Sequence, residues 1–256
     1  VSVRRRVDLL VAVAVVGGLL AISGGLVGVA VATDTAPQCS TVSYTQNASE
    51  WNKVENVSQL QCIGTNESSL SEDYVLTGDI DASGTMSWND GAGFEPIGAS
   101  SASPNTAFTG TFDGDGHTIT ALTINRTTSS NPVGLFSGVK STGTVSNLTL
   151  EESTISGNNT VGALVGNNKG MVRTVAVTGE VEGNQDGGAK VALLVGNNRG
   201  SGTIEASSVS GSINGSVRVG GLAGINRGTI QNSTARVEIT ADKQVGGIAG
   251  TTDGGA

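Results

Sequence analysis

Histidine, cysteine, lysine and aromatic residues are all scarce in this chain of 256 residues, and each scarcity narrows the function. His117 is the single histidine, which excludes the HExxH motif of a zinc peptidase. No Ser-His-Asp set and no phosphate-binding loop stands out either. Aromatic residues make up 3% of the chain and no basic patch is apparent, so we expect neither stacking platforms nor phosphate clamps for nucleic acid.

The two cysteines, Cys39 and Cys62, both precede the repetitive part of the chain. An isolated pair in an exported protein favours a disulfide over a metal or redox site. Closing a loop of that size contributes roughly 3 kcal/mol in the chain-entropy model. The chain has five lysines and a formal net charge of −8. An acidic, lysine-poor surface stays hydrated in concentrated salt, which indicates a halophilic archaeal or marine source.

The first 33 residues predict export. Arg4, Arg5 and Arg6 form a positive start, and an almost wholly apolar stretch follows from Leu9 to Ala32. One interpretation is a signal peptide cleaved after Ala32, behind a small-x-small sequence. The other is an uncleaved anchor that crosses the membrane as a hydrophobic helix, since the stretch is long enough to span a bilayer. Both interpretations place residues 34–256 outside the cytoplasm.

Acceptor sequences for N-glycosylation agree with an exported protein. In a chain rich in Ser, Thr and Asn several arise by chance, so each is a hypothesis. The eight candidate asparagines are Asn47, Asn56, Asn66, Asn125, Asn147, Asn158, Asn214 and Asn232.

Glycine is abundant, and much of it lies in a six-residue phrase that occurs five times. The copies begin at Val133, Val161, Val191, Val219 and Val245, with starts 28, 30, 28 and 26 residues apart. Such a period is typical of solenoids. Glycine closes every copy, and the fourth position is a large apolar residue. The residues at this position, which we call the apolar column, are Phe136, Leu164, Leu194, Leu222 and Ile248.

Each copy is followed by a turn and then by two further short apolar segments, for example around Val172 and Val181. The turns are rich in Asn and Gly, which tolerate positive φ. The segments alternate as strands do, and no apolar stretch after residue 40 keeps a helical period. The sequence therefore predicts an all-β fold, a right-handed parallel β-helix with three short strands in each coil. It predicts that the apolar column stacks in the interior and that the N-terminal hydrophobic helix precedes the solenoid.

The repeats and the segments before them resemble the GLUG-repeat family of secreted and surface proteins. The segments Tyr74–Gly84, Phe94–Gly98, Phe108–Arg126 and Gly143–Leu150 look like the coils that lead into GLUG repeats, so the resemblance covers about residues 74–256. It implies the β-helix fold and an exported location. It implies no catalytic residue, because the family is defined by its architecture.

Four regions follow from these features. Residues 1–33 are the signal peptide or membrane anchor, and residues 34–70 are a polar stalk or cap that carries the cysteine pair. Residues 71–132 are irregular lead-in coils, and residues 133–256 are the repeat coils. Because no polar cap follows the last copy, we expect either a fragment or a last coil covered by a partner or by another copy of the chain.

Carbohydrate cleavage is the sharpest enzymatic hypothesis, by analogy with other parallel β-helices. Asp113, Asp115 and His117 occur in one phrase, where two carboxylates could act as acid and base or hold Ca²⁺. Alternatively, Asp and Gly form a tight turn that His117 caps. Asp79 and Asp81 share a strand face and could hold a surface Ca²⁺, or they are polar outward positions. The structural interpretation is favoured for both pairs, and no cofactor other than such a Ca²⁺ is expected.

The turns after the phrases place Lys169, Arg199 and Arg227 at equivalent positions beside a column of asparagines. This column is either a strip for glycans and anionic polymers or a row of solvated side chains, and we favour the second.

We therefore expect an exported cell-surface protein without catalysis, structural, adhesive or glycan-contacting. Its expected partners are surface glycans or proteins, copies of itself through the uncapped C-terminal coil, and the membrane through residues 7–32 if these are not cleaved. The alternatives are a polysaccharide lyase or hydrolase and a subunit of a self-assembling surface filament.

Overall fold

A computed structural model describes residues 35–98, 106–184 and 188–252 of the chain. The predicted N-terminal signal or anchor helix, residues 1–33, lies outside these ranges. Within them, strands dominate and the helical elements are short. The helical elements are the α-helix α1 (Val57–Cys62) and the 3₁₀ segments Cys39–Thr41, Ser69–Ser71 and Ser83–Gly91.

The strands fall into a regular order along the repeats. In chain order they are β1 (Asn52–Val54), β2 (Tyr74–Leu76), β3 (Ile80–Asp81), β4 (Thr111–Asp113), β5 (Thr118–Thr120), β6 (Thr123–Arg126), β7 (Phe136–Val139), β8 (Thr144–Gly157), β9 (Thr160–Gly162), β10 (Val165–Asn168), β11 (Met171–Gly183), β12 (Lys190–Ala192), β13 (Val195–Asn198), β14 (Thr203–Glu205), β15 (Ser208–Asn214), β16 (Val217–Gly220), β17 (Ala223–Asn226), β18 (Thr229–Gln231), β19 (Thr234–Thr240), β20 (Lys243–Gly246) and β21 (Ala249–Thr252).

These strands form three sheets in which every paired strand runs parallel to its neighbour. Sheet B has the order β7-β10-β13-β17-β21, and sheet C has the order β9-β12-β16-β20. Sheet A is the largest and contains the remaining strands, with β8 and β11 at its centre. The parallel β-solenoid predicted from the repeats is thus confirmed, while its right-handed winding stays a prediction.

The division of each coil differs from the expected three short strands. The repeated phrase is not one strand, because Val161 and Gly162 end β9 while Val165 and Gly166 begin β10. The two later segments of a coil both belong to sheet A. They form one long strand in β11 and two separate strands in β14 and β15. A coil therefore crosses sheets C, B and A in turn, with three or four strands.

The apolar column lies at the corner between sheets C and B. Phe136, Leu164, Leu194 and Leu222 have no exposed surface, whereas Ile248 on the last described coil is 42% exposed. Backbone bonds connect consecutive members, as from Phe136 N to Leu164 O (2.8 Å) and from Leu164 N to Leu194 O (3.2 Å). Burying one such leucine stabilises the fold by about 1.5–3 kcal/mol.

The closing glycine of the later phrases is required by a close contact between sheets. A Cβ on Gly196 in β13 would lie 2.8 Å from the backbone nitrogen of Val161 in β9, on the preceding coil. A Cβ on Gly224 would lie 2.6 Å from the nitrogen of Val191 in the same way. Both distances are too short for a real side chain, so sheets B and C approach closely only where the side chain is absent.

The segment before the repeats continues the solenoid. Strand β1 pairs with β2, and β2 pairs with β4, so sheet A extends into the N-terminal part. Leu60 of α1 and Ile63 just after it are buried in the same apolar core as the repeats. Asn56 caps α1 by accepting a hydrogen bond from Gln59 N (2.9 Å).

Candidate binding surfaces

A shallow groove of about 1100 Å³ runs across β8, β11, β15 and β19 on the outward face of sheet A. The strands bend there, since Glu152 has φ 53° and Gly179 and Gly211 have φ 144°. A Cβ on Gly179 would meet Ser153 O at 2.1 Å, and one on Gly211 would meet Gly179 O at 2.0 Å. Glycine is therefore needed at both positions to let the coils stack through the bend.

The groove is acidic. Glu152, Glu180 and Glu238 line it, and Arg236 is the one basic residue among its lining residues. Glu182 lies beside it on β11. All four glutamates are exposed, so the field in front of this face is negative.

A second surface of opposite charge begins where the strands of sheet B end. The pairing of Val139, Asn168, Asn198 and Asn226 in β7, β10, β13 and β17 puts the next residue of each strand in a row along the solenoid. These next residues are Lys140, Lys169, Arg199 and Arg227, all of them exposed.

Two further cations join this row from sheet C. Lys190 and Arg218 each precede a phrase by one residue, and the pairing of Val191 with Val219 places them on adjacent coils. A Cβ on Gly224, the second residue of β17, would lie 2.8 Å from the carbonyl carbon of Lys190, so the start of β12 packs against β17. The charges of Arg199 and Arg227 reach Lys190. We call Lys140, Lys169, Lys190, Arg199, Arg218 and Arg227 the basic edge.

The cations of the basic edge influence one another. Burial lowers the pKa of Lys190, and the positive charges of Arg218, Arg199 and Arg227 lower it further. Lys190 Nζ donates to Asn159 Oδ1 (3.1 Å), and Arg218 donates to Gly188 O (3.1 Å), both of which are neutral acceptors.

Ion pairs are few within the described ranges. Arg126 pairs with Glu95 (2.7 Å), and Asp79 contacts His117 (3.2 Å), a contact that is ionic only when the imidazole is protonated. The expectation that the chain has no basic patch is therefore wrong. The repeats had already aligned Lys169, Arg199 and Arg227, and the structure adds Lys140 at the start of their row. Lys190 and Arg218 were not expected beside the row, although both directly precede a phrase.

The Asp113 phrase forms a tight turn. Asp113 Oδ1 accepts hydrogen bonds from Asp115 N (2.9 Å) and from Asn147 Nδ2 (3.0 Å). His117 N donates to Gly114 O (2.8 Å) and closes the turn. The carboxylate of Asp113 thus accepts hydrogen bonds from neighbouring amides, as in an Asx turn.

The structure pairs His117 with Asp79. The atoms Nδ1 and Oδ1 are 3.2 Å apart, and Asp79 Oδ1 also accepts from Thr118 N (2.9 Å). The backbone bond from Thr118 and, after it, the bond with His117 lower the pKa of Asp79. Asp81 Oδ1 accepts from Ser83 N (2.9 Å), and bonds from Ser83 lower its pKa.

Metal ligands are not gathered in the described part of the chain: no group of three or more His, Cys, Asp or Glu side chains there could hold an ion. Calcium at the Asp113–Asp115 or the Asp79–Asp81 pair stays the less favoured alternative to the structural interpretation.

The predicted disulfide is confirmed, since Cys39 and Cys62 are bonded and their Cα atoms are 5.3 Å apart. It ties the 3₁₀ segment at Cys39 to the end of α1.

The candidate glycosylation sites differ in exposure. Three are half-buried, namely Asn47, Asn147 and Asn158. The exposed ones are Asn56, Asn66, Asn125, Asn214 and Asn232. Asn147 donates its amide to Asp113, and Thr160 of the Asn158 sequence is buried, so these two are poor acceptors in the folded protein.

The asparagines of the turns form two rows. The inner row, Asn168, Asn198 and Asn226, is linked amide to amide, from Asn168 Nδ2 to Asn198 Oδ1 (2.9 Å) and from Asn198 Nδ2 to Asn226 Oδ1 (2.8 Å). Asn168 and Asn198 have no exposed surface. In the outer row Asn197 donates to Asn167 (3.1 Å).

Comparison with known proteins places the chain among large relatives. No family model matches it, so membership of the GLUG-repeat family is not confirmed. The chain is 42% identical over 148 residues to halomucin of Haloquadratum walsbyi, a match that covers 56% of this chain and 2% of that protein. It is 38% identical over 107 residues to a protein of Evansella cellulosilytica provisionally named a Gly-rich membrane protein, covering 41% and 12%. The chain thus spans a small part of each relative.

A solved structure shares the fold. A protein from Bacteroides ovatus, provisionally described as an immunoglobulin A1 protease, superimposes with a TM-score of 0.58 over 81% of this chain and 63% of its own. The sequence identity is 21%, so the likeness shows the fold alone. Within residues 35–98, 106–184 and 188–252, no helix has the length and apolar character to cross a bilayer.

Proposed function

We propose that this chain is a non-catalytic part of an exported cell-surface protein, a stiff hydrated β-solenoid that carries N-linked glycans and contacts surface glycans or other surface proteins. The named relatives support this location, because one is a mucin by name and another is named a membrane protein. The halophilic source of the first also agrees with the acidic composition of this chain.

The observation that carries the proposal is the separation of each coil into a dry interior and a polar outward face. Stacked outward positions on sheet A hold hydroxyl and carboxylate groups, as in the row Thr154, Glu180, Ser212 and Glu238. Such rows give an extended surface that stays hydrated and offers hydrogen bonds to sugars.

Two acceptor asparagines lie on this same face. Asn125 and Asn214 occupy one row, which runs from Asn125 through Ser156 and Glu182 to Asn214. Glycans attached there would extend from the outward face without disturbing the core, and both asparagines are exposed.

A polysaccharide lyase or hydrolase is the alternative. An enzyme for acidic polysaccharides needs cations along its substrate groove, whereas the sheet A groove presents Glu152, Glu180 and Glu238 against Arg236 alone. Like charges repel such a substrate, so the groove does not favour this reaction. The third hypothesis, self-assembly through the last coil, is tested by sedimentation of the purified chain.

The location and the glycans can be tested together. In a halophilic host, a membrane-impermeant amine reagent should label the exposed Lys140 and Lys169 on intact cells. Mass spectrometry of the purified protein should find glycans at exposed sites such as Asn125 and Asn214, and not at Asn158. Labelling that appears only after lysis would overturn the surface location.

Catalysis has its own test. Purified protein offered a panel of uronate polysaccharides should release no product, with or without Ca²⁺. Turnover that disappears in Asp113→Asn or Asp115→Asn would establish the enzyme instead.

A further inference from the structure

We propose that the basic edge binds a linear anionic polysaccharide, carboxylated or sulfated, lying along the solenoid axis with one anionic group at each coil. This inference goes beyond the proposed function, because it concerns a different face of the molecule and does not depend on where the protein resides.

The spacing of the cations supports a polymer. Lys140, Lys169, Arg199 and Arg227 follow one another on four successive coils, which lie about 4.8 Å apart in a parallel sheet. A linear chain that carries an anion on each sugar, or on every second sugar, meets a cation at regular intervals along this row. A single small anion would engage only one or two of the cations.

Two cations of the row are accessible to an anion. Lys169 and Arg199 are exposed and each is followed by glycine, so no side chain of the next residue covers them. Lys190 and Arg218 add positive charge from sheet C, and the repulsion among these groups is unfavourable in the folded protein. An anion at the edge relieves that repulsion and gains charge-assisted hydrogen bonds from the guanidinium and ammonium groups.

The geometry favours a polysaccharide over nucleic acid. The large aromatic side chains, such as Trp88, Phe94 and Phe108, are buried in the core, and none of the described aromatic residues lies on the basic edge. Stacking platforms, which support the binding of single-stranded nucleic acid, are therefore missing from this surface.

A second copy of the chain fits less well. The acidic groove is the surface that would face the basic edge, but its glutamates do not repeat at each coil. Glu180 and Glu238 are two coils apart with Ser212 between them. The basic row has a cation on four successive coils, so the two patterns do not match.

The decisive experiment compares two variants that remove the same charge. The edge variant is Lys140→Gln/Lys169→Gln/Arg199→Gln, and the control is Lys53→Gln/Arg173→Gln/Arg236→Gln, which changes three cations on sheet A, away from the basic edge. The probes are labelled polygalacturonate, dextran sulfate, uncharged dextran and duplex DNA, measured by fluorescence anisotropy near 0.1 M salt and near 1 M salt, where the screening length falls from about 10 Å to about 3 Å.

We expect polygalacturonate or dextran sulfate, or both, to bind the wild type at the lower salt. The edge variant should lose at least about tenfold in affinity, the sum of three modest ion pairs, while the control changes by less than about threefold. Equal losses of affinity in the two variants would show a response to net charge alone and would overturn the proposal. The proposal would also be overturned if the wild type bound DNA more tightly than the anionic polysaccharides, bound uncharged dextran equally well, or bound none of the charged probes.

A measurement on the wild type guards against variants that fold poorly. Acetylation of the lysines, read by mass spectrometry, should slow at Lys140, Lys169 and Lys190 when saturating anionic polymer is present, and Lys53 should react as before. Unchanged rates at all four would overturn the proposal. So would a sedimentation mass that shows dimers of the wild type and monomers of the edge variant, because the edge would then be a contact between copies.

Discussion

Asn198 donates a hydrogen bond from its side-chain amide to Oδ1 of Asn226, 2.8 Å away and one coil further along the solenoid. The same amide nitrogen lies within 3.2 Å of Gly202 O and 3.3 Å of Thr229 O. The Asn198 oxygen accepts from Asn168. One buried amide therefore connects three coils and two backbone carbonyl groups.

We expect Asn198→Ala to lower the free energy of unfolding by about 2–4 kcal/mol, because it leaves buried partners of the amide without a hydrogen bond. Urea unfolding followed by circular dichroism measures the change. Ser201→Ala is the matched control, since Ser201 lies in the same turn but is exposed, and it should cost no more than about 0.5 kcal/mol. Equal effects of the two substitutions would show that the asparagine row does not stabilise the solenoid.

The closing glycine of the phrase gives a second prediction. Gly196→Ala places a methyl group 2.8 Å from Val161 N and from Thr160 Cγ2, so sheets B and C must separate locally. We expect a loss of about 1–3 kcal/mol, as for other overpacked sites. Gly78→Ala is the comparison, because a Cβ there has nothing within 4 Å and the backbone is not in the left-handed region.

Gly78→Ala should be neutral or stabilise by up to about 1 kcal/mol. Thermal unfolding of both variants under one set of conditions measures the difference. A Gly196→Ala protein as stable as the Gly78→Ala protein would mean that the phrase keeps its glycine for another reason.

The repeat period sufficed to predict the solenoid because one large apolar residue recurs in every phrase. Leu164, Leu194 and Leu222 are buried together, and no single coil could bury any of them alone. The strand boundaries could not be predicted in the same way. The turn between β9 and β10 is formed by Ala163 and Leu164, which are apolar and carry no Gly, Pro or Asn signal of a turn.

The row of Lys169, Arg199 and Arg227 could be aligned from the repeats, but the approach of Lys190 and Arg218 to that row could not. Lys190 and Arg227 are separated by more than one repeat in sequence. They come together only because the strands of sheet C pack against those of sheet B on either side of each phrase. The tight contact of Gly224 in β17 with the backbone at Lys190 packs the two sheets together, and the charges of Arg199 and Arg227 then act on Lys190. A count of charges along the sequence cannot reveal that contact.

The disulfide gives a third prediction. Cys39 and Cys62 are 23 residues apart, and a closed loop of that length stabilises by about 3 kcal/mol in the chain-entropy model. We expect Cys39→Ser/Cys62→Ser to lose about that amount in urea unfolding. A reductant should shift wild type to the same midpoint and leave the double variant unchanged. If a reductant also shifted the unfolding midpoint of the double variant, the shift in the wild type could not be assigned to this disulfide.

The two tyrosines give a prediction about pH. Tyr44 Oη donates to Gln59 O (2.7 Å), Tyr74 Oη donates to Ser69 O (2.9 Å), and the rings lie 5.5 Å apart. Burial raises the pKa of both phenols above their ordinary value of about 10, and the charge of Glu72 raises each further.

A pKa that is higher in the folded state than in the unfolded state means that the neutral phenol is favoured by folding. The stabilisation is complete below about pH 10 and is lost as the pH rises above it. The chain has only two tyrosines, so no ordinary tyrosine masks them. We expect the ultraviolet signal of phenolate to appear only together with the loss of the β-sheet circular dichroism signal. Tyr44→Phe should halve the phenolate signal, and reversible titration near pH 10 in protein that stays folded would contradict the prediction.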